Sequence, residues 1–255
     1  MAMLKTDLVW ALDPVAFAKD ALGFAPDPWQ AGVLRWSGKR LIMNCARQTG
    51  KSTTAGVLGL HTALYYPRSL VLLVSPSLRQ SGELFRKVSG FMGVLEQRPK
   101  LVEDNKLACK LENGSRIVSL PSTEATVRGF SAPDLVIEDE AARVSDELYA
   151  AIRPMLAVSA GKLILMSTPF GKRGHYWEAW DQGGDRWTRI KVTAEECPRI
   201  SDEFLAEERE AMPAFWYDQE YGCEFLEDQL AVFRYDDIMA MLETDEPPLF
   251  GGNEA

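Results

Sequence analysis

Four apolar runs punctuate the chain, and the segments that end them are rich in chemistry. They lie at Leu41–Met43, in SLVLLVSP, in DLVIEDE and in KLILMSTP. None alternates with polar residues, the pattern of strands buried on both faces. Between them the spacing predicts a helix from about Ser52 to Tyr66, stopped by Pro67, and another from about Leu78 to Met92. KLACKLENGSRIVSL does alternate, and Asn113-Gly114 at its middle predicts a β-hairpin. Strand, helix, strand, hairpin, strand, helix, strand is the order of an α/β fold with a mostly parallel central sheet flanked by helices. Residues 1–36 are Trp-rich and helical in character. After about residue 190 acidic helices take over, broken at Pro198 and Pro213. The expected division is a core over 1–190, a small helical lid over 191–240 and a tail or linker over 241–255.

The first run leads into Cys45-Ala46-Arg47-Gln48-Thr49-Gly50-Lys51-Ser52. This fits the phosphate-loop pattern GxxxxGK[ST] except at its first position, where Cys45 replaces glycine. Gly50 lets the backbone fold tightly, and successive N–H groups form an anion nest at a helix start. Lys51 supplies a point charge for β- and γ-phosphates, and Ser52 a hydroxyl ligand for Mg²⁺. The expected ATP-contacting stretch is Ala46, Arg47, Gln48, Thr49, Gly50, Lys51, Ser52 and Thr53.

The third run delivers Glu138, Asp139 and Glu140 to a strand's C-terminal end, where ligands bind in parallel α/β sheets. Asp139 is placed to hold Mg²⁺, and Glu140 to orient and deprotonate the attacking water. Glu138 stays a rival for the catalytic role. The Ala141-Ala142 that follows favours the Asp139-Glu140 pair, because it completes a DEA pattern.

ARQxGKS, DEAAR, STPFGKRG and the later FWYDQEYGCEF together resemble the motor domain of tailed-phage terminase large subunits, over about residues 20–235. The resemblance implies a P-loop NTPase of the ASCE type that hydrolyses ATP with Mg²⁺ and drives double-stranded DNA into a procapsid. It implies Arg47 as a cis-acting arginine beside the γ-phosphate. It implies Trp29 and Gln30, in Pro28-Trp29-Gln30, as the adenine side, and Ser167-Thr168-Pro169 as a coupling motif. Arg128 takes the place of a trans-acting arginine reaching a neighbouring subunit, with Arg143 as its rival. The implied partners are DNA, the portal and procapsid, the small terminase subunit and further copies in a ring, expected to be pentameric. The chain alone is expected to be monomeric, and the place of action is the host bacterial cytoplasm. A helicase-like remodelling ATPase or a nucleotide-gated scaffold is the alternative.

Charge narrows the DNA question. Lys and Arg total 28 against 37 Asp and Glu, a net charge of −9, so DNA contact needs a local basic patch. Candidates are Arg79, Arg86 and Lys87 on one helix; Lys100, Lys106, Lys110 and Arg116 around the hairpin; and Lys172-Arg173. Cys45, Cys109, Cys197 and Cys223 are scattered, with no metal or redox spacing. No apolar run reaches membrane-spanning length, and no membrane partner is expected. No second set of strand-end carboxylates follows residue 190, so no nuclease activity is expected. Asp202, Glu203, Glu207, Glu208 and Glu210 read as a solvated helix face. His61 reads as a helix residue and His175 as a loop residue without a catalytic partner.

Overall fold

The computed structural model of the protein describes residues 2–121, 127 and 129–227. Its centre is an eight-stranded sheet in the order β3-β4-β5-β2-β6-β7-β1-β8. The strands are β1 (Arg40–Cys45), β2 (Leu70–Ser75), β3 (Leu101–Asp104), β4 (Ala108–Leu111), β5 (Arg116–Pro121), β6 (Leu135–Asp139), β7 (Lys162–Ser167) and β8 (Thr188–Val192). From β5 across to β8 each neighbouring pair is parallel. β3 pairs with β4, and β4 with β5, antiparallel.

Helices cover both faces, which is why the central runs need no polar side. Leu41, Met43, Val71, Leu73, Ile137 and Met166 point one way. They pack on α4 (Lys51–Tyr65) and α5 (Leu78–Val94). Ile42, Leu72, Val74, Val136, Leu163 and Leu165 point the other way. They pack on α6 (Asp146–Ser159) and α7 (Gly174–Asp181). Each such side chain, fully buried, contributes about 1.5–3 kcal/mol relative to exposure.

Short-range signals set the boundaries. Ser77 Oγ accepts the Gln80 N–H at 3.3 Å and starts α5. The hairpin turn also ends α4: Asn113 Nδ2 donates to the carbonyls of Ala63 (2.8 Å) and Leu64 (3.1 Å). The N-terminal segment forms α1 (Ala2–Leu12), α2 (Pro14–Ala16), which runs into a π-helical turn Phe17–Ala21, and α3 (Pro28–Leu34). Beyond the sheet lie α8 (Asp202–Ala211) and α9 (Ala214–Glu220), separated at Pro213.

Among the described residues, β3, β8 and α7 were not expected. β8 extends the sheet through Val192, and its TRIKV has the charged composition that protects an edge strand. α7 places His175 in a helical first turn, not a loop. There it is buried and paired with two carboxylates, Glu138 and Asp146, and the expectation of a loop residue is corrected. Among the described residues no helix is long and apolar enough to cross a membrane.

Candidate nucleotide-binding site

The loop between β1 and α4 has the conformation its sequence requires. Gln48 (φ 62°) and Gly50 (φ 94°) occupy the left-handed region. At Gly50 a Cβ would stand 2.6 Å from Gln30 Nε2, so a side chain there would have to displace the Gln30 amide as well as adopt a left-handed backbone. Thr49 Oγ1 donates to the Ala46 carbonyl at 2.9 Å, closing the loop on itself. α4 then begins at Lys51, and its first N–H groups carry the positive end of the helix dipole.

β6 brings its acids to the same rim. Lys51 Nζ lies 3.4 Å from Glu140 Oε1, and Ser52 Oγ lies 3.4 Å from Asp139 Oδ2. Burial pushes the Asp139 carboxyl up to about 6; the Glu140 charge adds to this and the Lys51 charge opposes it. Glu140 has a left-handed backbone (φ 53°, ψ 41°), which costs a non-glycine residue about 1–3 kcal/mol. The turn is held by the Glu140 N–H to Asp139 Oδ1 (3.0 Å) and the Arg143 N–H to the Glu140 carbonyl (2.8 Å).

Strand alternation separates the three acids. Asp139 faces α4, whereas Glu138 projects through the other face and is fully buried. There Glu138 Oε1 accepts from His175 Nε2 at 2.9 Å, and His175 Nδ1 meets Asp146 Oδ1 at 3.1 Å. Burial pulls the His175 pKa down, but the two carboxylates outweigh it and the net shift is upward.

The arginines converge on a carboxylate of α9. Arg47 Nε is 2.5 Å from Glu220 Oε2. Arg143 reaches Glu140 Oε2 at 3.7 Å and Glu220 Oε1 at 3.9 Å, with its guanidinium 4.4 Å from the centre of the Phe170 ring. Arg47, Arg143, Phe170 and Glu220 line a cavity of about 380 Å³ together with Trp216 and Tyr221. Arg143 is thus turned towards acids of its own chain. Arg128 lies outside the described residues.

Gln30 is buried with both ends of its amide committed: Oε1 accepts the Asp27 N–H (2.8 Å), and Nε2 donates to the Thr49 carbonyl (3.3 Å). Trp29 packs against the core. Thr168 Oγ1 donates to the Cys45 carbonyl at 3.3 Å, and Ser167 lies fully buried beside it. Three contributors carried no recognisable sequence signal. Arg199 donates to the Thr49 carbonyl at 2.7 Å and pairs with Asp27 at 2.8 Å. Lys87, grouped by sequence with possible DNA contacts, donates to Thr53 Oγ1 at 3.3 Å. Glu220 lies inside the FWYDQEYGCEF segment but could not be singled out there. Among the other basic candidates, Arg86, Lys100, Lys110 and Lys172 pair with Glu83, Glu112, Glu103 and Glu227.

A parallel sheet that presents a lysine-bearing phosphate turn beside a strand-end acid pair defines a P-loop nucleotide-binding fold. Within that class the chain belongs to the terminase large-subunit family. The family model described as "Terminase large subunit, T4likevirus-type, N-terminal" matches residues 42–240. The terminase large subunit of Thermus phage G20c is 26% identical over 258 residues, covering 88% of this chain and 53% of that protein. That of Escherichia phage T5 is 26% identical over 196 residues, covering 73% and 44%. The chain therefore spans about half the length of the curated relatives it matches. The fold is shared with the Thermus phage P74-26 large terminase ATPase domain (TM-score 0.72, 23% identity, 84% of this chain and 100% of that one). It is also shared with the large terminase of a thermophilic bacteriophage solved in complex with ADP (TM-score 0.61, 10% identity, 85% and 53%).

Proposed function

We propose that this domain hydrolyses ATP to drive double-stranded DNA into a viral procapsid. The observation that carries the reading is the 3.4 Å approach of Lys51 to Glu140, with Ser52 and Asp139 meeting beside it. A phosphate-binding turn and an acid able to activate water then share one site. The residues fit a divalent cation: Asp139 is a buried carboxylate raised towards neutrality, the situation that a bound cation relieves. Ser52 and Asp139 would hold Mg²⁺, which supplies charge neutralisation at the phosphate oxygens.

Lys51 exchanges Glu140 for the phosphates of ATP. Glu140, released, orients a water and takes its proton as the water attacks the γ-phosphorus and the bond to ADP breaks. Arg47, leaving Glu220, stabilises charge on the γ-phosphate. Arg143 already touches its own Glu140, which favours a role in cis and leaves the trans role to Arg128. Gln30 and Arg199, both on the Thr49 carbonyl, brace the loop on the adenine side. Thr168, bonded to the loop's first residue, carries the loss of phosphate towards the segment that follows it. Family membership supports the remaining partners: DNA, portal and procapsid, a small subunit and a ring of copies in the host cytoplasm.

The test is nucleotide binding and turnover by the purified domain with and without DNA. Lys51→Ala is expected to lose ATP binding. Glu140→Gln is expected to bind ATP and lose turnover. Normal hydrolysis by either variant overturns the assignment. Tight binding with no turnover by the wild type, even with DNA, would favour a nucleotide-gated scaffold.

A further inference from the structure

The imidazole of His175 is buried between two carboxylates, with the Tyr149 ring stacked on it at 4.4 Å and 11°. A neutral imidazole has one N–H and would leave its other nitrogen facing a carboxylate lone pair. Only the imidazolium donates to both Glu138 and Asp146. Its mounting is rigid. The His175 backbone N–H donates to Asp146 Oδ1 at 2.7 Å, and the next residue, Tyr176, donates its hydroxyl to the Met43 (2.9 Å) and Ser167 (3.2 Å) carbonyls. The start of α7 is thereby bonded to the ends of β1 and β7, and through His175 to β6.

The end of β6 needs such a mounting. Its register with β2 stops at Glu138 and its register with β7 at Asp139. Glu140, immediately beyond, holds a backbone conformation that a glutamate does not prefer. Rotation of the strand end about its own axis is opposed by one side chain on each face. Asp139 meets Ser52 on the near face, and Glu138 meets His175 on the far face. Without its partner, Glu138 would be an uncompensated charge in the core and would relax by moving the strand end.

We infer that His175 is a positioning residue for Glu140: through Glu138 it fixes the end of β6 so that the following turn aims Glu140 at the phosphate loop. This rests on the proposed role of Glu140 as general base. The misalignment expected on losing the tether slows the chemical step more than it weakens nucleotide binding, because Lys51, Ser52 and the loop are mounted on β1 and α4, and of the proposed ligands only Asp139 shares the strand end.

The experiment compares His175→Gln, Glu138→Gln and the double variant with the wild type, and scores kcat per nucleotide-binding site titrated in each protein. Each single variant should lose about 10²-fold in kcat, the scale set by misplacing a reacting group by about 1 Å, with affinity for a non-hydrolysable ATP analogue changed by less than about 10-fold. The double variant should be no worse than the worse single, because both break one contact. A purely structural role would reduce the number of binding sites and leave kcat per site unchanged, and that result overturns the inference. If the buried substitutions prevent folding, Asp146→Ala removes both bonds that orient the His175 ring, to Nδ1 and to the backbone N–H, from a side chain that is 63% exposed. A drop in kcat per site supports the inference, and unchanged kcat overturns it. Normal hydrolysis by Glu140→Gln would defeat the parent reading, whatever His175 does. An inactive Glu140→Gln with fully active His175 and Glu138 variants would defeat this inference alone.

Discussion

Replacing Asp139 by asparagine should stabilise the protein when neither metal nor nucleotide is present. Asp139 is 8% exposed, and its carboxyl is raised from 3.8 to about 6, chiefly by burial. A shift of about 2 units corresponds to roughly 3 kcal/mol at 1.36 kcal/mol per unit, an order-of-magnitude figure. Asparagine fits the same space: its oxygen accepts the Glu140 N–H, and its amide donates to Ser52 Oγ, reversing the bond that the Asp139 carboxylate accepts. Because the folded-state pKa is raised, the neutral acid's stability is fully present below 3.8 and is lost as pH rises through about 6. The variant's advantage therefore grows between about pH 4 and pH 6 and is constant above. At roughly 2–4 °C per kcal/mol, Asp139→Asn should raise Tm by about 6–12 °C at pH 8. The assay is urea and thermal unfolding of both proteins in EDTA from pH 5 to pH 8. A variant no more stable than the wild type at pH 8, or a gap that widens towards pH 5, would refute the reasoning. Adding Mg²⁺ and an ATP analogue should reverse the order, since ligand stabilises only a protein that binds it.

Three further outcomes follow from contacts in the site. Gly50→Ala puts a Cβ 2.6 Å from Gln30 Nε2 at φ 94°, so it should cost about 1–3 kcal/mol in denaturant unfolding and abolish ATP binding; wild-type affinity would mean the loop does not bind nucleotide in this form. Glu220→Gln should leave stability within about 1 kcal/mol, because Arg47 is 62% exposed, yet tighten ATP binding by freeing that arginine. Unchanged affinity in a nucleotide titration would show that the contact does not compete with phosphate. Thr168→Val removes the bond to the buried Cys45 carbonyl and should cost about 1–3 kcal/mol. It should spare ATP binding more than DNA movement in a packaging assay; equal effects on both would make Thr168 structural.

The central strands were legible because each is covered on both faces and so lacks alternation; β2 and β6 are buried along their whole length. The turn between β1 and α4 was legible because its signal is local, with lysine, serine and glycine fixed within a few residues. What escaped depends on the far side of the sheet. Nothing near His175 announces Glu138, which lies 37 residues earlier, and a helix of eight residues gives little periodicity to read. Glu138 itself was ambiguous in sequence because three acids stand in a row. The fold divides them by strand alternation, a distinction visible once it is known what covers each face. β8 escaped for the opposite reason: an edge strand is selected for charge, and its TRIKV resembles a loop. Arg199 is a single arginine beside a proline, and its importance exists only through contact with Thr49.

The attachment of the proposed lid to the phosphate loop follows the same division between local and distant signals. Among the described residues, four hydrogen bonds or ion pairs join them. The Ala46 N–H donates to the Val192 carbonyl (2.9 Å), Asn44 Nδ2 to the Cys223 carbonyl (2.8 Å) and Arg199 to the Thr49 carbonyl (2.7 Å), while Arg47 pairs with Glu220. The first two are donated by neutral amide groups, and Arg199 is held by the Asp27 carboxylate as well (2.8 Å), so a phosphate has less to gain from these donors. Ala46 also packs with Ala194, Leu205 and Cys223, apolar contacts that an anion leaves intact. The fourth pairs a guanidinium with a carboxylate, and a triphosphate is a stronger anion for the same guanidinium. On the proposed reading, nucleotide therefore exchanges one tie out of four. The lid stays docked on the loop while α9, which carries Glu220, is released from Arg47, so the bound state is reported by a shift of that helix and not by dissociation of the lid.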